Sequence, residues 1–262
     1  MPTTYAHYRF GRDVLEALPE NQRSIILRHR DLFDFGVHGP DLLFYYRPLG
    51  KNDVNRLGYQ SHERTGRDFF AQAMAAAREA KDREAALSYL YGVLCHFTLD
   101  RESHPYVGQK EQTGVSHSAI EASFDRYLME KDGLDPVTHR VTRHLIPSEA
   151  SAQVIARFYP PLDGETVRKA EKSMVLVLNL LVAKGVKRSI LLGAMKLAGK
   201  AHLGDMFVPL QPNPACTDSD EKLYECYEGA LVLAKTLFAE LEAALAGQGD
   251  LGPGFDHTFG ET

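Results

Sequence analysis

Between His96 and Glu121 the chain reads HFTLDRESHPYVGQKEQTGVSHSAIE, and five of these residues are of types that ligate divalent cations. His96 and Asp100 stand four apart, His104 follows, and His117 and Glu121 again stand four apart. Four residues on an α-helix turn about 400°, so each pair leaves one face, one turn apart. Imidazole nitrogen and carboxylate oxygen are both zinc ligands, and neither is oxidised by holding the ion. One such pair is commonplace on a surface helix, whereas two pairs and a further histidine within 26 residues read as a site. The other candidates lie upstream: His7, Asp41 and His62. Asp41 follows Gly39-Pro40, a turn that aims one side chain, although it would serve equally as an N-cap for the LLFYY that follows. His29, between two arginines, reads as solvated, and His38 as a neighbour of ligands rather than a ligand.

Helices must position these groups. Residues 1–9 read as a short polar-aromatic segment, followed by a helix over Phe10–Leu18 and another opened by Pro19. Gly36, Gly39 and Pro40 interrupt the next stretch, and residues 47–60 read as a connection. Ser61 is a plausible N-cap for a helix over His62–Lys81, which would put His62 in a first turn. A second long helix runs from Arg83 to about Ser103, with Ala86, Leu90, Val93, Leu94 and Phe97 on its apolar face. Gly92, one turn before His96, leaves room there for another side chain or backbone. Pro105 is expected to end that helix, with a loop before the one carrying His117 and Glu121. Helical periodicity continues over 148–158, 165–184, 186–201 and 220–246. Residues 174–182 are apolar nearly all round, which predicts a central helix. No alternating strand pattern or internal repeat appears. The expected fold is all-α, a single-domain helical bundle with a multinuclear metal cluster between helices. That domain spans 1–246, with the ligand motifs in 1–130 and supporting helices in 131–246. A Gly-rich tail, 247–262, follows, docked by Phe255 and Phe259.

Composition is that of a globular domain, 44% hydrophobic and 25% charged. The longest apolar run, Met174–Ala183, is ten residues, and a membrane span needs roughly 20. The N-terminal segment lacks the apolar core of a secretory signal, and Cys95, Cys216 and Cys226 have no zinc-finger spacing, so a cytoplasmic, reducing location is expected. A net charge of −5 argues against a protein that coats nucleic acid. Two divalent ions would bring −5 to −1 and three to +1, so an anionic substrate is compatible. Two basic clusters, His139-Arg140-Arg143-His144 and Lys187-Arg188-Lys196-Lys200, read as solvated faces or as contacts for phosphate head groups at a membrane surface.

The order His7, Asp41, His62, His96-xxx-Asp100, His104, His117-xxx-Glu121 resembles the bacterial zinc-dependent phospholipase C family and the related fungal single-strand-specific nucleases. The resemblance covers residues 1 to about 130. It implies an all-helical fold and two to three Zn²⁺ ions: one on Asp41, His62, His96 and Asp100, and a second on His104, His117 and Glu121. A third would take His7, a bridging oxygen of Asp100, and the amine and carbonyl of Met1 or Pro2. The implied activity is phosphodiester hydrolysis by a metal-bound hydroxide, with Asp41 as the catalytic residue that orients the water and accepts its proton. A lipid or small-molecule phosphoester is the expected partner, with transient contact at a membrane surface. The rivals are a nuclease or nucleotide phosphatase on the same cluster, and a metal-stabilised helical binding protein without turnover.

Overall fold

The computed structural model describes residues 4–260. In chain order the helices are α1 (Thr4–Ala17), α2 (Glu20–Arg28), α3 (Arg30–Gly36), α4 (Asp53–Glu63), α5 (Gly66–Arg78), α6 (Arg83–Glu111), α7 (His117–Lys131), α8 (Glu149–Ala156), α9 (Gly164–Leu181), α10 (Gly185–Leu197) and α11 (Thr217–Leu245). Short 3-10 helices cover Gly39–Tyr45, Ala201–Met206, Pro214–Cys216 and Pro253–Asp256. Among the described residues there is no strand beyond one isolated bridge, Thr65 to Thr258. The expected all-α class is what forms.

The axis of the bundle is α6. Every residue from Ala85 to Asp100 is buried, as a helix enclosed on all sides requires. It packs against α3 and α11 most extensively, and also against α1, α2, α5 and α7. The closest approach is backbone to backbone. A Cβ on Gly92 would lie 2.4 Å from Phe33 O, and one on Gly36 would lie 2.4 Å from Tyr89 O. The room expected beside Gly92 is thus taken by the α3 backbone.

Several sequence expectations are corrected. Pro105 does not end the helix: α6 runs through it to Glu111, so His104 is helical and most of the expected loop is helix. A proline interior to a helix costs roughly 3 kcal/mol. Burial of Val107 and packing on α11 offset that here. His62 lies not in a first turn but in the last turn of α4, which is capped by Asn52 accepting from Asn55 N at 3.0 Å. Thr65 then caps a separate α5 by accepting from Asp68 N at 3.2 Å. Gly58, read as part of a connection, is inside α4, where a side chain would crowd Leu43 and Phe44. His7 belongs to α1, which starts six residues earlier than expected.

The apolar stretch at 174–182 is not central either. On α9 only one stripe (Val167, Ala170, Glu171, Met174, Leu178) is buried, against α8 and the Gly39–Tyr45 segment, while Leu176 and Leu180 face solvent. The Gly-rich tail is docked as expected, with Phe255 and Phe259 fully buried beside Phe70 and Phe97.

Candidate metal centre

The expected ligands converge from five elements: α1 brings His7, the Gly39–Tyr45 turn Asp41, α4 His62, α6 His96, Asp100 and His104, and α7 His117 and Glu121. Three groups have donor atoms within 4.8 Å of one another: His7-His96-Asp100, Asp41-His62-His96, and His104-His117-Glu121. His96 belongs to two of them.

Close backbone packing delivers Asp41. Because Gly36 and Gly92 touch, the chain leaving α3 passes directly over α6. Gly39 has φ +47, and a Cβ there would meet His96 Cδ2 at 2.5 Å. Glycine suits this position on both counts. Two residues on, Asp41 is buried with Oδ1 3.0 Å from His62 Nε2. His7 is fixed from α7. Asp125 accepts from Tyr5 N at 3.0 Å and Ala6 N at 2.8 Å, closing the first turn of α1. Burial pushes the Asp125 carboxyl up to about 8 against those two donors.

Asp100 sits at the junction. Its Oδ1 is 3.2 Å from His7 Nε2 and 3.9 Å from His104 Nε2, and its Oδ2 is 3.1 Å from His96 Nε2. Glu121 Oε1 is 3.1 Å from His117 Nε2 and 3.7 Å from His104 Nε2. All five histidines therefore direct Nε2 at a carboxylate. Two ligands bound tetrahedrally to zinc at 2.0–2.1 Å are about 3.3 Å apart, close to the separations here.

The opposite ring nitrogens decide what these contacts are. His62 Nδ1 lies 2.8 Å from Gly58 O, and His104 Nδ1 lies 2.7 Å from Phe259 O. A carbonyl only accepts, so Nδ1 carries the proton in both rings. In the neutral ring Nε2 then offers a lone pair, aimed at carboxylate oxygens that offer lone pairs too. Such an arrangement is attractive only around a positive charge, either a second proton on each ring or a cation between the partners. His117 Nδ1 faces Glu111 Oε2 at 3.2 Å, the same outer support. Nδ1 of His96 and Nδ1 of His7 are buried with no hydrogen-bond partner among the described residues. The residues fit zinc, each group offering imidazole nitrogen and carboxylate oxygen.

Electrostatics agree. Burial works against charge throughout, yet the partners overcome it. His96, then His104 and His7, hold Asp100 well below the usual carboxylate range. Glu121 and Asp41 are lowered likewise, with His117 and His104 among the causes for the first and His62 and His96 among those for the second. Asp100 and Glu121 raise His104 to about 9, while His117 is raised by Glu121 and His96 by Asp100. His7, the exception, is lowered by burial and by His96.

A family model described as zinc dependent phospholipase C matches residues 6–166. The chain belongs to that family. The match takes in more than half of the sequence and all eight expected ligands, and it extends beyond the 130 residues over which the resemblance was legible. No curated protein and no solved structure matches the chain. For a zinc-dependent phospholipase C family member, a His/carboxylate cluster between helices is the expected seat of zinc.

Four features escaped sequence reading. Asp125 continues the His117-Glu121 stripe by another four residues, so its signal was present. Glu111 and the Phe259 carbonyl reach their histidines only through tertiary packing. His38, placed among neighbours of ligands, accepts from Asp41 N at its carbonyl, 3.0 Å, and its ring also meets His144, Nε2 to Nε2 at 2.8 Å. His144 stacks on Tyr8 and burial lowers its pKa to about 3, so this member of the 139–144 cluster is neither solvated nor a head-group contact. The amine expected at a third ion belongs to Met1 or Pro2, which lie outside the described residues.

Proposed function

We propose that the chain is a phospholipase C-like phosphodiester hydrolase acting on a lipid or small phosphoester with two or three zinc ions. The observation that carries this is the arrangement of His62 and His104, each donating from Nδ1 to a carbonyl while Nε2 faces carboxylate. In this reading Asp41, His62, His96 and Asp100 hold one ion, and His104, His117 and Glu121 hold a second. His7 and Asp100 contribute to a third. Zinc bound there supplies Lewis acidity toward a phosphoryl oxygen and acidifies a coordinated water.

The chain's own residues supply the rest. Asp41, whose Oδ1 faces His62 Nε2 at 3.0 Å, orients the attacking water and accepts its proton. Asp41 then releases that proton. The water oxygen bonds to phosphorus, the bond from phosphorus to the leaving oxygen breaks, and that oxygen takes a proton. His117, a third exposed, marks the side from which substrate enters. A reducing, cytoplasmic location belongs to the same reading, supported by three cysteines that form no disulfide.

One observation favours the nuclease alternative. Tyr59 is 59% exposed and packs on Phe44, whose ring lies 5.3 Å from that of His62, an aromatic surface on which a base would stack. The test compares phosphatidylcholine micelles, single-stranded DNA and nucleoside monophosphates at one zinc concentration. Fastest turnover of the lipid is expected. Faster cleavage of DNA than of every lipid would put the nuclease first, and bound zinc without turnover on any of them would leave a metal-stabilised binding protein.

A further inference from the structure

Helices of a bundle bury one stripe and show water a polar one. The α10 helix departs from this, having no buried residue. Its inner side, Leu191, Leu192 and Met195, is half-buried. Its outer side repeats the apolar pattern: Val186 is 76% exposed, Ile190 64% and Leu197 92%, with exposed Gly193 and Ala194 between them. Exposed apolar side chains scattered singly are ordinary. These recur at i, i+4 and i+11 on one helix, and α9 just before it exposes two more, Leu176 and Leu180.

The charge on this stretch is one-sided. Residues 172–204 contain Lys172, Lys184, Lys187, Arg188, Lys196 and Lys200 without one acidic residue, in a chain whose net charge is −5. None of these six cations is in an ion pair among the described residues. Lys187 donates to Asn179 O and Val182 O, Arg188 to Val208 O, and Lys200 to Leu49 O, bonds that leave each positive charge uncompensated.

We propose that the outer face of α10 docks the protein on an anionic lipid surface, with the apolar stripe entering the interface and the exposed lysines meeting phosphates. Exposed apolar residues flanked by lysine, with no acid, are the pattern of a helix lying in a membrane interface. A second copy of the chain would fit worse, because a symmetric pairing would set the exposed Lys184, Lys187 and Lys196 against the same lysines of the other copy. The face is also tied to the candidate metal centre at two points. Lys200 holds the segment just after Asp41's turn, and Asp205, in the 3-10 helix following α10, accepts from Ser116 Oγ at the N-cap of the helix that begins with His117. As an account of how substrate is reached, the proposal rests on the lipid reading above.

Cosedimentation with vesicles of phosphatidylcholine alone, or with about a third phosphatidylglycerol, tests it. Tighter binding to the anionic vesicles is expected, weakening as salt is raised. Lys184→Ala with Lys196→Ala should weaken it by about fivefold per lysine. Ile190→Asp with Leu197→Asp should abolish it. All variants should keep the parent's zinc content and its turnover of a soluble chromogenic diester, which shows that they fold. Vesicle binding unchanged in both double variants would overturn the proposal. So would a dimer, seen by light scattering, that Leu197→Asp dissociates. Variant-sensitive vesicle binding without lipid hydrolysis would keep the docking face and remove the phospholipase reading. Lipid hydrolysis that is indifferent to the variants would remove the docking face alone.

Discussion

The two ends of the ligand cluster are built differently. Around His96 most of the site is deep: His96 itself is fully buried, His7, Asp41 and Asp100 are nearly so, and only His62 reaches the rim. Contacts that leave no room for a Cβ, Gly36 on α6 and Gly39 on the His96 ring, set this end. Around His117 the cluster opens, and its positions depend on side-chain and loop partners, Glu111 and the Phe259 carbonyl. A closely packed end fixes side-chain geometry, whereas an open end leaves room for solvent. Damage to the first should therefore disturb structure and metal together. Damage to the second should change affinity and leave the fold intact.

The largest effect is expected from Asp100→Ala, because that carboxylate faces histidines of both ends. Elemental analysis should show loss of more than one ion, and turnover should fall about a thousandfold or more. Metal content equal to the parent's would break the comparison outright. Next is Gly92→Val, which pushes α3 off α6 and moves Asp41. Overpacking of this kind costs about 1–3 kcal/mol, read as a lower midpoint in urea. Zinc should be lost from the deep end, with one ion retained by His104, His117 and Glu121. Glu111→Gln should do the reverse and act only on the open end. Weakened support of His117 should lower zinc affinity there by about tenfold, in calorimetric titration, without moving the melting temperature.

The smallest effect is a control outside both ends. Burial raises the Glu171 carboxyl to about 7, although Ser151 Oγ donates to it at 2.9 Å. Its folded pKa lies above its unfolded value, so the unfolded chain ionises first. The wild type should lose stability as pH rises from about 4.5 through about 7. Glu171→Gln should flatten that slope, giving a higher melting temperature than wild type at pH 8 and little difference at pH 4. An equal gain at both pH values would show that ionisation of Glu171 is not the cause.

Much of the centre was legible because helical spacing is local. His96-xxx-Asp100 and His117-xxx-Glu121 share a face whatever else the chain does, and all eight candidate residues do come together. Periodicity also set the all-α class, for the same reason. The errors fell where local propensity competes with packing. Pro105 disfavours helix on its own, but it sits in α6 between a helical turn already committed to the core and a buried Val107. Gly58 reads as a breaker, but in α4 it makes room for Leu43 and Phe44.

By itself, then, the sequence determined which residue types share a helical face and that enough apolar surface existed to bury them. Only the tertiary structure decided which pairs share an end of the cluster, because Gly36 against Gly92 is a contact between chain segments 56 residues apart. It also decided that Phe259, at the end of a Gly-rich tail, supplies the carbonyl that fixes the His104 tautomer. Such bonds depend on where the backbone lies in space, and spacing along one helix carries no record of that.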